Sequence, residues 1–130
     1  EQEIPPVSGL RIIPVTVKTA SGDHVFRSEV AQTGPEQAKG LMFRTELGPD
    51  EGMIFPREDN SVASFWMKNT PLPLDIIFIG PDRRISNIAA MAEPYSLESV
   101  YSVGPVLGVL ELRGGRAQEL GIEPGDLVEW

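Results

Sequence analysis

Ser-Phe-Trp-Met-Lys-Asn-Thr-Pro-Leu-Pro-Leu-Asp-Ile-Ile-Phe-Ile, residues 64–79, joins two kinds of strand without a helix between them. In the first, Val62 to Lys68, alternation puts Phe65 and Met67 on one face and Ser64, Trp66 and Lys68 on the other. One face is therefore core and the other at least partly accessible. Asn69 to Pro73 is rigid and extended, because Pro71 and Pro73 fix their own torsions and bias the residues before them. Ile76 to Ile79 is apolar on both faces, which is the mark of a strand in the middle of a sheet.

Reading outward gives more of the same. Ile13, Val15 and Val17 alternate with polar residues, and Pro14 among them requires a strand that lies at an edge or begins late. Ser21-Gly22-Asp23 is a turn, and Phe26, Ser28 and Val30 carry a second strand back as a hairpin. Thr33, Pro35 and Glu36 form a helix start, for a short helix from Pro35 to about Met42. Met53 to Phe55 is a strand, Arg57 to Ser61 a polar loop, and Ile85 to Met91 a further strand. Ala92 to Pro105 is loop-rich, Val106 to Leu112 is a strand, Gly115 to Leu120 is a short helix, and Leu127 to Trp130 closes the chain as a strand. About eight short strands with two short helices and no long crossover exclude βαβ units. The expectation is a mainly β, single-domain sandwich or barrel over 10–130, preceded by a flexible leader over 1–9.

The 130 residues are one domain's worth of chain, 41% hydrophobic and 23% charged, which excludes a disordered polymer. Lys+Arg 11 against Asp+Glu 19 leaves a net charge of -8 with no basic stripe, so nucleic acid is not an expected partner. Without cysteine there is no disulfide, thiolate nucleophile or cysteine-bound metal. The longest apolar runs are far too short for a transmembrane segment. Phosphate-loop, nucleophile-elbow and dinucleotide glycine motifs are missing. His24, the one histidine, sits at a hairpin turn and reads as solvated, and Asp50-Glu51 and Glu58-Asp59 read as loop solubility. Met42, Met53, Met67 and Met91 are soft donors suited to Cu(I), but all stand in apolar contexts and read as core. No metal, cofactor or catalytic residue is assigned.

Gly-Leu-Met-Phe-Arg (40–44), Gly-Met-Ile-Phe-Pro (52–56) and the 64–79 stretch occur in order with Val-Leu-Glu-Leu (109–112) and Gly-x-x-Pro-Gly-Asp (121–126). Together, from about Val15 to Val128, they resemble the small prokaryotic proteins called domain of unknown function 192. The resemblance implies a mainly β, jelly-roll-like domain, often exported, and brings no activity, substrate or catalytic residue. An exported setting, periplasmic or extracellular with a signal peptide removed, is the matching expectation.

Residue chemistry adds a candidate site. Trp66 beside Lys68, followed by Asn69, makes a wall for a small polar molecule. Asp75 precedes the most apolar strand, where an ionised carboxylate needs a partner, and Arg44, Lys68 or the Asn69 and Thr70 amides are the candidates. Its simpler role is to pin the loop. Glu111, between Leu110 and Leu112, faces either the same interior or solvent. The expected ligand-binding set is Arg44, Trp66, Lys68, Asn69, Asp75 and Glu111, for non-catalytic binding of a small polar molecule or a protein partner. A carboxylate-based hydrolase follows instead if two of Asp75, Glu111, Asp50 and Glu51 converge, and a purely structural or interaction module if these phrases form only core and turns.

Overall fold

The computed structural model describes residues 8–130. In chain order these form β1 (Ile12–Thr19), β2 (Gly22–Val30), α1 (Gly34–Lys39), β3 (Glu51–Pro56), β4 (Val62–Phe65), β5 (Leu74–Ile79), β6 (Ile85–Ala92), β7 (Val100–Pro105), β8 (Gly108–Arg113), α2 (Arg116–Leu120) and β9 (Leu127–Glu129). Seven strands make one sheet in the order β6-β5-β8-β3-β2-β1-β9, and β4 pairs with β7 as a second, two-stranded sheet. Within the large sheet only β2 and β3 run parallel, because α1 and its flanking loops return the chain to the starting end. The sheet curls until its ends meet: the Val128 amide donates to the Arg83 carbonyl at 2.8 Å and the Ile85 amide to the Asp126 carbonyl at 2.9 Å. The result is a mainly β half-barrel carrying a small second sheet and two short helices, as the sequence predicts.

Two cores follow from the pleat. The inner face of the curl gathers Val15, Val17, Phe26, Ile54, Ile77, Ile79, Leu110, Leu112 and Val128. The outer face, under β4 and β7, gathers Met53, Phe55, Ile76, Phe78, Val109, Ala63, Met67 and Val106. Every residue of β5 is buried, with Ile77 and Ile79 entering the inner core and Leu74, Ile76 and Phe78 the outer one. Each such aliphatic or aromatic side chain contributes ~1.5–3 kcal/mol, so this strand is the spine that both cores share. Pro14 stands where expected, since β9 pairs with β1 only at Thr16–Lys18 and leaves Pro14 with one neighbouring strand.

Local differences have local causes. The helix begins on the expected capping box, with the Glu36 amide donating to Thr33 Oγ1 at 3.2 Å and the Thr33 amide to Glu36 Oε1 at 2.9 Å. It stops at Lys39, short of Met42, because Gly40 takes φ 48 and ψ -128, a backbone state that only glycine adopts readily. The strand expected over Val62 to Lys68 leaves its ladder after Phe65, where the Met67 amide turns to the Ser96 carbonyl. Its alternation nevertheless persists, with Ala63 and Met67 buried and Ser64, Trp66 and Lys68 exposed. β7 is a strand inside the stretch expected as loop. Its pattern is inverted: Ser102 is buried, donating to the Gly104 carbonyl and accepting from the Ala63 amide, while Tyr101 and Val103 face outward. The expected leader lies mostly outside the described residues. Ser8, its first described residue, donates from its hydroxyl to Glu29.

Candidate functional site

A single row of side chains crosses the outer face of the sheet. Strand register aligns Glu29 with Met53, Met53 with Glu111, and Glu111 with Ile76. Two carboxylates therefore sit among apolar neighbours, and their surroundings treat them differently. Glu29 accepts both arms of the Arg44 guanidinium, at 3.0 and 2.7 Å, and the Ser8 hydroxyl. Burial pushes its carboxyl up, but those hydrogen bonds and the Arg44 charge outweigh burial and hold it below the ordinary range.

Glu111 has no such help. It is 4% exposed, and among the described residues no group donates to its carboxyl. Burial alone pushes its pKa from 4.5 up to about 8, so at neutral pH it is a protonated acid with one proton to donate and oxygens to accept. Above it opens a cavity of about 240 Å³. The end of α1 and the turn after it, Gln37 to Met42, form one wall, held down by Gln37 Nε2 donating to the Ala31 and Pro56 carbonyls at 3.0 and 2.8 Å. Phe55, Phe65 and Trp66 form an aromatic wall, in which Phe65 packs edge-on to Phe55 at 5.0 Å and 82°. Thr70, Leu74, Ser64 and Arg57 complete the lining. A side chain at Gly40 would touch the Phe55 ring at 3.4 Å, so the glycine that ends the helix also lets it sit close over the sheet. Arg57 adds a second polar group: its Nε is buried without a hydrogen-bond partner, and its Nη2 reaches Ser61 Oγ only at 3.4 Å.

Of the residues expected from the sequence, Trp66 and Glu111 line this cavity together. Lys68 lies outside it, its ammonium 5.2 Å above the Trp66 ring. Asn69 adopts a left-handed φ of 56° and accepts from the Phe43 amide at 2.7 Å, fixing the loop beside Trp66. Arg44 serves Glu29. Asp75 does not pair with Arg44 or Lys68, which corrects that expectation. It precedes outward-facing Ile76 and therefore turns to the inner face, where it is wholly buried. There Oδ1 accepts from the amides of Met91 at 2.9 Å and Gly115 at 3.1 Å, and Oδ2 from that of Ala117 at 2.8 Å, tying β6 and the start of α2 to β5.

The four carboxylates of the hydrolase alternative do not converge. Asp50 is exposed and pairs with Arg116 at 3.0 Å, Glu51 accepts from the Gly48 amide at 2.7 Å, and Asp75 and Glu111 face opposite sides of the sheet. Nor do the methionines share one fate: Met53 and Met67 are core, Met42 lines the cavity half-buried, and Met91 is 55% exposed. Among the described residues no three His, Asp or Glu side chains gather as a metal cluster, and no helix is long and apolar enough to cross a membrane. Arg57, read from sequence as part of a polar loop, and Glu29 are the polar residues that the sequence reading missed.

The chain is similar to a protein of unknown function from Novosphingobium aromaticivorans, with 62% identity, a TM-score of 0.96, and coverage of 98% of this chain and 91% of that one. It is also similar, at 40% identity and a TM-score of 0.88, to a Sinorhizobium meliloti protein with the provisional description of a transcription regulator, covering 92% of this chain and 94% of that one. No curated protein matches it. A sequence profile described as "Uncharacterized ACR" matches residues 15–130.

Proposed function

The chain belongs to the family called domain of unknown function 192, and from that premise, which names no activity, we propose that it binds a small polar molecule in the cavity over Glu111. The observation that carries this reading is a buried carboxyl with no donor among the described residues, opening onto a cavity with an aromatic wall. Leaving a buried polar group unsatisfied costs ~1–3 kcal/mol, and a ligand that supplies the missing partner recovers that cost on binding. Trp66 and Phe65 give contact area, and Thr70 and Arg57 give polar orientation. Lys68 and Asn69 act indirectly, by holding Trp66 and its loop. A net charge of -8 opposes phosphate backbones, so the reading is of a small molecule rather than of DNA. The export implied by the family resemblance belongs to the same reading, and fractionation of cells against a periplasmic marker checks it.

A screen of small polar compounds by NMR tests the proposal. A true ligand moves the Trp66 indole resonance and leaves that of Trp130, at the far end of the chain, in place. Its affinity drops at least tenfold, ~1.4 kcal/mol, in Trp66→Ala and in Glu111→Gln. Compounds that bind equally well to both variants, or that never touch the Trp66 signal, would refute the site.

A further inference from the structure

Resting on that reading of the cavity, we infer that its ligand is a small zwitterion whose ammonium group meets Glu111 at the floor and whose carboxylate meets Arg57. The cavity holds two orphaned polar groups of opposite character. Glu111 lacks any donor and Arg57 Nε any acceptor among the described residues, and the two are not paired with each other. Two complementary groups that share a cavity without touching are matched by one molecule bearing both partners. A simple anion would give Arg57 its acceptor but bring no donor to the Glu111 carboxyl. A simple amine would give Glu111 its donor but leave Arg57 Nε without an acceptor. A zwitterion entering amine first satisfies both ends. Phe55, Phe65 and Trp66 suit it further, since aromatic faces attract a cation and cover the carbon chain between its charges. The volume of about 240 Å³ is below the ~300–1,000 Å³ usual for larger ligands and suits a molecule the size of an amino acid.

This arrangement couples binding to a proton. Free Glu111 holds its proton up to about pH 8, and an ammonium bound beside it favours the ionised form, so the proton leaves to solvent. Few other charges bear on it. β3 offers Met53 and Phe55, with Arg57 just beyond the strand, β5 offers Leu74 and Ile76, and α1 offers Lys39. β4 and its end offer Ser64, Phe65 and Trp66, and the Glu29–Arg44 pair lies beyond Met53. His24 lies away from the cavity, bonded to Ser21.

Isothermal titration of the full chain with γ-aminobutyrate, norvaline, butyrate and butylamine is the test. One of the two zwitterions should bind at least tenfold more tightly at pH 7 than either single-charge analogue. Its affinity should rise about tenfold from pH 6 to 7 and level off above pH 8. Titration in two buffers of different ionisation heat should show close to one proton released. Glu111→Gln should abolish the pH dependence and Arg57→Gln the preference for zwitterion over amine. Butyrate or butylamine binding as tightly as the zwitterions would overturn the inference. So would failure of all four probes while another compound moves the Trp66 indole, which leaves the cavity a binding site for a different class. If no compound of any class moves that signal, the binding reading itself fails.

Discussion

Asp75 and Glu111 sit on neighbouring strands, 0% and 4% exposed, and differ in everything that decides a carboxylate's role. Asp75 faces the inner core and takes hydrogen bonds from the amides of Met91, Gly115 and Ala117. Glu111 faces the outer core and takes none among the described residues. Depth of burial does not separate an anchored carboxylate from an unpartnered one; the tally of partners does. The same contrast runs along the outer row, where Glu29 is fully engaged by Arg44 and Ser8 a short step from Glu111.

The contrast breaks most visibly at Asp75. Asp75→Ala strands its three amide donors at once, and the expected destabilisation is on the order of 5 kcal/mol, read from urea midpoints. Asp75→Asn, which keeps one acceptor oxygen, should fall between the variant and wild type. A midpoint for Asp75→Ala equal to wild type would mean that Asp75 does not anchor β6 and α2 to β5.

Glu111 should respond with the opposite sign. Between pH 4.5 and about 8 the unfolded chain ionises this group while the folded chain keeps its proton. The folded state binds more protons there, so stability falls as pH rises through that window and is flat above it. Glu111→Gln removes the penalty and should stabilise the protein by ~2–4 kcal/mol at pH 8, with no gain near pH 4. Glu29 runs the other way: its contribution is present above the ordinary carboxylate pKa and is lost as pH falls through its lowered value. Melts across pH that show no narrowing gap between Glu111→Gln and wild type would mean that the carboxyl is solvated. A variant that folds better and binds worse would be the expected trade between stability and function.

The smallest effect belongs to Asp50, exposed and paired with Arg116. Asp50→Ala should move the urea midpoint by no more than the ~0.5 kcal/mol typical of surface positions.

Strand patterns were legible wherever side-chain character followed the pleat. β5, unbroken in Ile and Phe, announces a central strand, and Thr33 with Glu36 announces the helix start. β7 was hidden because its buried residue is Ser102 and its exposed ones Tyr101 and Val103. The need of Asp75 for partners was legible, but their identity was not. Its donors are backbone amides 16, 40 and 42 residues away, and an amide has no signature in a sequence. For Glu111 the flanking leucines marked an odd charge. Only the packing of α1 and Phe65 over the sheet reveals the gap in front of it.

The sheet order also bears on how the domain is made. β1 lies between β2 and β9, so the first and last strands among the described residues are partners. As the chain emerges from the ribosome, the β1–β2 hairpin can form early, yet Thr16–Lys18 keep an open edge until Leu127–Glu129 have been synthesised. Closure of the curl between 83–85 and 125–128 waits for the same residues. These pairings are among the longest-range contacts of the described residues, and contacts of that kind slow folding.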